Sequence, residues 1–273
     1  MLTNQIKEEI LHGQTVLGIE LGSTRIKAVL INSENQPIAQ GGHDWENTLL
    51  DGVWTYSLDD VWKGIQSCFA SLQANIQKAY ACKLTRAKAL GVSAMMHGYL
   101  PFDSEGKQLS AFRTWRNTMS GQAAELLSTL FDYPVPERWS ISHLYQSVLN
   151  KEEHVKDLGF LTTLAGYVHW KLTGRKVLGV GDASGMFPID TKTGNYDQRM
   201  VEAFDDLTKA HHFPWRLETI LPSILSAGEE AGKLTDTGAL LLDPSGTFEA
   251  GIPLCPPEGD AGTAGDSGSA PGD

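Results

Sequence analysis

The chain has 273 residues, 41% of them hydrophobic, which is enough for one large or two modest domains with a substantial core. Its 22 basic and 33 acidic side chains leave a net charge of −11 with no long basic run. This excludes binding to nucleic acid or an anionic membrane through a general electrostatic field. An anionic ligand would have to be held locally, by backbone amides, a metal ion or a few placed cations.

The N-terminal stretch and the cysteines bear on the cellular setting. Residues 1–14 carry charged side chains where a signal peptide needs an apolar core, and no later stretch reaches membrane-spanning length. A short amphipathic helix or a frayed leader is expected there. Cys68, Cys82 and Cys255 are widely spaced and form no CxxC pair, which favours a reducing cytoplasm.

The next stretch predicts a β-hairpin. Two apolar, β-branched runs, Val16–Leu21 and Ile26–Ile31, should form antiparallel strands because the gap between them allows only a tight turn. The turn residues are Gly22, Ser23 and Thr24. Gly22 can adopt backbone angles that other residues avoid, so the turn amides and the two hydroxyls can converge on an anion.

Opposite charges flank this turn. Glu20 precedes it and Lys27 follows it. A carboxylate, a small-residue turn and a lysine together suit a polyphosphate bound through Mg²⁺. Many ordinary hairpins have similar turns, so a purely structural interpretation stays open for this stretch alone.

Further strands and one long helix follow the hairpin. Pro37–Gly42 is predicted to be a third strand, and His43–Tyr56 a turn-rich loop. Ser57 then resembles a helix cap, and the apolar residues after it repeat with helical spacing. Ala87–Met95 and Tyr99–Phe102 are predicted strands. Strands, a helix and a further strand indicate an α/β arrangement with ligand groups at strand ends.

The pattern is mainly helical from Met119 onward. Predicted helices are Ala123–Leu130, His143–Asn150, Leu164–Leu172 and Asp197–Leu207. Residues 179–190, GVGDASGMFPID, have the composition of loops. Residues 259–273 contain no large apolar side chain, so they are expected to be a low-complexity tail.

Three short constellations could carry chemistry. Met96-His97-Gly98 ends an apolar strand, where the glycine allows a sharp turn that presents the imidazole; a histidine bonded to a backbone carbonyl is the alternative. Trp115 beside Asn117 could hold a sugar, with the ring against its C–H face, or could be an ordinary core tryptophan.

The third constellation is Asp260, which lies between glycines that give it room and expose backbone amides. This setting suits a carboxylate that accepts a proton from a substrate hydroxyl. An ordinary Asp-Gly turn is the alternative interpretation.

The order of ELGSTRIK, MHG, WRN, GDASG and EGDAGT resembles the FGGY carbohydrate kinases, and within them the xylulokinase-like branch, from about Val16 to Thr263. The resemblance implies an α/β fold of the actin/hexokinase-like (ribonuclease H-like) class, with a mixed sheet and flanking helices. It also implies ATP-dependent phosphorylation of a sugar hydroxyl with Mg²⁺, the sugar being a ketopentose such as xylulose.

The resemblance also implies roles for individual residues. Glu20 is implied at the Mg²⁺-linked position; Gly22, Ser23, Thr24 and Lys27 on the phosphate side; Met96, His97, Gly98, Trp115 and Asn117 at the sugar; and Asp260 as general base. The chain departs from the family at Glu20 and Asn117, where aspartate is usual, and at Met119, where arginine is common. These departures alter the expected metal contact and sugar specificity.

The expected organisation is a leader at 1–14, an N-terminal sugar-binding domain at 15–258 and the tail at 259–273, without the second, ATP-binding domain of such kinases. The chain alone is therefore expected to phosphorylate little sugar, and the interdomain face left exposed is compatible with a homodimer. A non-catalytic sugar-binding or regulatory module is the alternative function. An actin-like nucleotide-binding scaffold is disfavoured by MHG and WRN.

Overall fold

The computed structural model describes residues 2–260. Its strands are β1 (Val16–Leu21), β2 (Arg25–Ile31), β3 (Pro37–Asp44), β4 (Thr48–Leu50), β5 (Val53–Thr55), β6 (Ala89–Ala94), β7 (Leu100–Phe102), β8 (Phe160–Thr162), β9 (Val177–Gly179), β10 (Ile189–Asp190), β11 (Asn195–Tyr196), β12 (Ser223–Leu225) and β13 (Glu258–Gly259). Its helices are α1 (Leu2–Leu11), α2 (Leu58–Tyr80), α3 (Gly121–Phe131), α4 (Ser140–Leu149), α5 (Leu164–Thr173), α6 (Val180–Ala183), α7 (Gln198–Thr208), α8 (Leu217–Ile220) and α9 (Asp236–Leu242).

The main sheet has five strands within the described residues, in the order β13, β6, β1, β2, β3. β1 pairs antiparallel with β2, from Val16 opposite Ile31 to Leu21 opposite Ile26, so the predicted hairpin is confirmed. β6 and β13 join on the other side in parallel. The mixed sheet with flanking helices confirms the predicted α/β class.

The long helix α2 covers one face of this sheet. The Ser57 side chain accepts a hydrogen bond from the Asp60 amide, which confirms the predicted start of the helix. The helix buries one face against β2 and β3, as its spacing predicted. The buried apolar side chains of this face include Val61, Ile65, Phe69, Leu72 and Ile76.

The apolar interior consists of two clusters. The first lies between the main sheet, α2 and α5, and the second among α3, α4, α7 and their neighbours. Ile10 of α1 is fully buried in the first cluster, so the N-terminal helix packs on the same core as the sheet. Of the described residues, no helix is both long and apolar enough to cross a bilayer.

Two predictions of irregular structure were wrong. Residues 43–56 contain the hairpin β4–β5, and residues 179–190 contain α6 and β10. α6 forms because Glu258, distant in sequence, accepts a hydrogen bond from the Asp182 amide and so supplies a tertiary partner for the first turn. The stretch predicted as a tail begins at Gly259, which pairs with Ala94 of β6; residues 261–273 lie outside the described residues.

Candidate functional site

The candidate site lies where three neighbouring strands of the main sheet end. The parallel strands β1, β6 and β13 lead into the turn at residue 22, the loop at 95–98 and Asp260. Loops at the carboxyl ends of parallel strands meet at one edge of a sheet. A cavity of about 250 Å³ opens there, lined by Ser23, Met95, Met96, His97, Trp115, Arg138 and Asp260.

The hairpin turn is oriented by two aromatic residues. The Trp45 indole N–H donates to the Gly22 carbonyl at 2.8 Å, and the Tyr56 hydroxyl donates to the Ser23 carbonyl at 2.6 Å. The Trp45 amide donates to the Thr24 carbonyl at 3.1 Å. In a trans peptide the next N–H points away from the carbonyl, so the following amides turn away from these aromatic residues. Such a turn suits an anion.

His97 occupies a constrained position beside this turn. Its φ of 69° lies in the left-handed region, which is uncommon for a residue other than glycine. The ring nitrogen Nδ1 lies 3.3 Å from the Gly185 carbonyl oxygen. Burial lowers the pKa of His97, and the Gly185 carbonyl partly offsets that effect, so the ring is neutral at pH 7. The ring therefore makes a backbone contact and also lines the cavity.

Asp260 is the last described residue and reaches the same loop. Its Oδ1 accepts a hydrogen bond from the Met96 amide at 3.3 Å. This approach requires glycine at position 259, because an added Cβ would overlap the Met96 side chain. Gly98 is likewise constrained, with φ of 92° and an added Cβ only 2.5 Å from the Arg113 carbonyl oxygen. Gly98 thus shapes the loop and Asp260 lines the cavity.

Trp115 and Asn117 have different environments. Trp115 is 43% exposed, lines the cavity and donates from Nε1 to the Ser23 hydroxyl oxygen at 3.3 Å. Asn117 is 3% exposed, and its amide pairs with the Trp54 backbone, accepting from its N–H at 2.9 Å and donating to its carbonyl at 2.8 Å. The structure thus brings Trp115 to the cavity, while the Asn117 side chain anchors β5.

Glu20 and Lys27 lie away from that cavity, on an open face of the sheet. They are opposite each other in the β1–β2 register, and Ser93 and Glu258 continue the same row across β6 and β13. All four line a second cavity of about 390 Å³. Within residues 2–260, no group of three or more His, Cys, Asp or Glu side chains could hold a metal ion.

Comparison with known proteins identifies the family. Residues 15–261 match the model of the FGGY family of carbohydrate kinases, N-terminal domain. This chain belongs to the FGGY family. Two curated proteins are similar: a xylulose kinase from Staphylococcus xylosus is 20% identical over 81% of this chain, and a glycerol kinase from Trichodesmium erythraeum is 22% identical over 69% of it.

Solved structures share the fold of this FGGY domain. A xyloylose kinase from Brucella ovis superposes with a TM-score of 0.75 at 20% identity over 90% of the chain. The actin/hexokinase-like fold that the resemblance implied is thereby confirmed. The chain spans 44% and 40% of the two curated relatives and 49% of the solved one. It is thus about half the length of the proteins it matches.

Sequence reasoning missed three residues around the FGGY site. Arg138 lines the cavity, yet its surroundings form no motif. Asp182 is fully buried, and its Oδ2 accepts from the Thr163 hydroxyl at 2.6 Å, while Oδ1 has no hydrogen-bond partner among the described residues. Glu258 lies beside it, and burial raises the pKa of Glu258. The sequence around Asp182 has the composition of a loop, so it gave no indication that Asp182 is buried against Thr163 and Glu258.

Asp182 should make stability depend on pH. Burial raises the pKa of Asp182 to about 7. The folded state therefore holds a proton that the unfolded chain releases near pH 4, so this group's contribution to stability falls as pH rises from about 4 to 7. The unfolding free energy of Asp182→Asn, measured relative to the wild type, is therefore expected to rise by about 1–3 kcal/mol as the pH is raised from 5 to 7.

Urea denaturation at both pH values measures this difference. Burial lowers the pKa of His143 to about 3 and that of His169 to about 4, so both destabilise the fold as pH falls. Their effects are common to both proteins and cancel in the comparison. An Asp182→Asn difference that stays constant between pH 5 and pH 7 would contradict the prediction.

Proposed function

We propose that this domain is the sugar-binding part of a carbohydrate kinase that transfers a phosphoryl group from ATP to a sugar hydroxyl. One observation carries the proposal: Ser23, His97, Trp115 and Asp260, distant in sequence, line a single cavity. An aromatic plate, an imidazole and a carboxylate around one cavity suit a small polyhydroxylated ligand. Membership of the FGGY family supports the reaction class.

In the proposed reaction, Asp260 is the general base. Its carboxylate accepts the proton of the sugar hydroxyl while the sugar oxygen forms its bond to the γ-phosphorus of ATP, and ADP leaves. The Met96 amide, which donates to Oδ1, holds the carboxylate toward the cavity. The protein's contribution is therefore positioning, proton acceptance and neutralisation of charge.

The hairpin turn is the proposed phosphate site. Its amides turn away from Trp45 and Tyr56, and the hydroxyls of Ser23 and Thr24 add donors beside them. Lys27 follows on the next strand as a cation. Gly22 does not adopt the left-handed φ that only glycine readily takes; an added Cβ there would lie 3.1 Å from the Arg25 carbonyl oxygen, so close approach within the turn favours glycine.

Glu20 is the residue proposed to bind Mg²⁺ or one of its water ligands. It is a half-buried carboxylate one residue before the end of β1, and Mg²⁺ in nucleotide sites keeps several waters and needs only one or two carboxylates. The chain therefore fits the ion through Glu20. When bound, Mg²⁺ neutralises phosphate charge.

A ketopentose such as xylulose is the proposed substrate. The similar proteins include xylulose kinases, which supports this choice, and a glycerol kinase, which shows that smaller polyols occur among the relatives. Trp115 offers a flat apolar surface for the C–H face of the sugar, while His97, Met96 and Arg138 surround it. Asn117 is proposed to act indirectly, by holding the loop that carries Trp115.

Residues 15–258 are the proposed sugar-binding domain. ATP binding is proposed to need a second domain, for which the relatives, about twice as long as this chain, have room. The 273-residue chain by itself is accordingly expected to bind sugar and to turn it over slowly. The alternative, a non-catalytic sugar-binding or regulatory module, is favoured by the separation of Glu20 and Lys27 from the sugar cavity. A coupled kinase assay distinguishes the two functions.

Sugar binding tests the proposal directly. Trp115→Ala removes the exposed plate and is expected to raise the Kd for D-xylulose at least tenfold, measured by calorimetry. Tyr133→Ala is a matched control, since Tyr133 is 41% exposed and lies outside the cavity lining. No binding by the folded wild type at millimolar sugar, or equal Kd values for Trp115→Ala and the wild type, would contradict the proposed site.

A further inference from the structure

Glu258 connects the end of the main sheet to α6. Its Oε2 accepts a hydrogen bond from the Asp182 amide at 3.0 Å, and its carboxylate also bonds the Gly181 amide. These amides belong to the first turn of α6, which has no partner for them within the helix. The carboxylate packs so closely on Gly179 that an added Cβ there would overlap it. Glu258 thus holds α6 at short range.

A second contact holds α6 from the other side. The Thr163 hydroxyl donates to Asp182 Oδ2 at 2.6 Å and accepts from the Gly166 amide at 3.2 Å, which caps α5. Asp182, Thr163 and Gly166 are all buried. The position of α6 is therefore determined by β13 on one side and by α5 on the other.

The segment after α6 touches the sugar cavity. The Gly185 carbonyl oxygen lies 3.3 Å from His97 Nδ1, and an added Cβ at Gly185 would lie 2.7 Å from that nitrogen. Met96, which precedes His97, donates a hydrogen bond from its amide to the Asp260 side chain. Asp260 in turn lies two residues after Glu258. The contacts thus form a closed ring: Glu258, α6, Gly185, the 96–97 loop and Asp260.

The contact with Gly185 determines the tautomer of His97, that is, which imidazole nitrogen carries the proton. A carbonyl oxygen can only accept, so Nδ1 carries the proton, and in a neutral imidazole Nε2 is then the unprotonated acceptor. Arg138 and Asp260 are the charged groups that face the imidazole of His97: Arg138 disfavours its protonated form and Asp260 favours it. An unprotonated Nε2 can accept a hydrogen bond from a sugar hydroxyl.

We propose that Glu258 is a positioning residue: by holding α6 it keeps the Gly185 carbonyl on His97 Nδ1, and so fixes the imidazole as a hydrogen-bond acceptor for the sugar. The role in sugar binding rests on the proposed function of the cavity. Glu258 itself does not line that cavity.

Two substitutions at Glu258 separate reach from charge. Glu258→Asp keeps the charge but is one methylene shorter, so it no longer reaches the α6 amides. Glu258→Gln keeps the reach and an acceptor oxygen. Gly185→Ala leaves the Glu258 contact intact and displaces the imidazole directly. Nitrogen-15 NMR of the histidine rings reports the tautomer, with the His97 signals assigned from their loss in His97→Gln.

The wild type and Glu258→Gln are expected to show His97 protonated at Nδ1. Glu258→Asp and Gly185→Ala are expected to shift it toward the Nε2-protonated form and to raise the Kd for D-xylulose at least fivefold. A folded Glu258→Asp that keeps the wild-type tautomer overturns the proposal. If Glu258→Asp does not fold, Gly185→Ala decides the proposal: a shift of His97 toward the Nε2-protonated form supports it, and an unchanged tautomer overturns it.

The NMR measurement needs no sugar, so it separates two failures. If the tautomer changes but the wild type binds no D-xylulose, the positioning of His97 by Glu258 stands and the proposed sugar site fails. If the wild type binds D-xylulose and the tautomer of Glu258→Asp is unchanged, the sugar site stands and the positioning role fails.

Discussion

Asp260→Asn is expected to lower the rate of sugar phosphorylation by about 10² to 10⁴-fold. Asparagine keeps an oxygen that can accept the hydrogen bond from the Met96 amide, so the local structure should persist. It cannot accept the hydroxyl proton that the carboxylate takes in the proposed reaction. Because the side chains have nearly the same shape, the Kd for D-xylulose is expected to change by only a few-fold.

A coupled assay with ATP and D-xylulose, at protein concentrations high enough to detect slow turnover, measures this effect. Asp190→Asn is a matched control, because Asp190 Oδ1 also accepts from a backbone amide, that of Lys192, at 2.9 Å, and Asp190 lies outside the cavity lining. An Asp260→Asn rate within threefold of the wild-type rate would show that another group accepts the proton.

Local patterns sufficed for much of the fold. The β1–β2 hairpin was predictable because two β-branched runs flank a turn too short for other structure, and the strands pair in that register. The start of α2 was predictable because Ser57 caps it through a contact three residues away. In both cases the residues that determine the structure are close together in sequence.

Contacts between distant residues explain what was missed. The short helix α6 depends on Glu258, 76 positions later, so its glycine-rich sequence indicated only a loop. The Asn117 side chain pairs with the Trp54 backbone, 63 positions earlier, a contact that its place near Trp115 in the sequence did not reveal. Arg138 reaches the cavity from a segment with no motif of its own.

For the candidate site, most of the residues that line the cavity were predictable, but the position of Glu20 and Lys27 relative to it was not. The convergence of Ser23, Met96, His97, Trp115 and Asp260 follows from the order of strands, since the three segments that carry all of them except Trp115 continue neighbouring strands of one sheet. Strand order could not be derived from spacing, and only the family resemblance implied that these residues share one site. The register placed Glu20 and Lys27 on the open sheet face, which a one-dimensional pattern does not reveal.

The contact between α2 and β3 should be the most sensitive point of the sheet. An added Cβ at Gly41 would overlap the Cys68 carbonyl oxygen and would lie 2.5 Å from the Leu72 backbone nitrogen. Both atoms belong to the α2 backbone, which cannot rotate away as a side chain can. Gly41→Ala is therefore expected to lower the free energy of unfolding by about 3 kcal/mol, the upper part of the range for overpacking.

Thermal or urea denaturation measures this loss, with Gly91→Ala as the matched control. Gly91 also lies within a strand of the main sheet, but an added Cβ there meets nothing within 4 Å. Both variants remove the same backbone freedom from the unfolded chain, so the difference between them isolates the overlap with α2. Equal stabilities for the two variants would mean that α2 can move away from β3 at little cost, and that the glycine does not determine how closely helix and sheet approach.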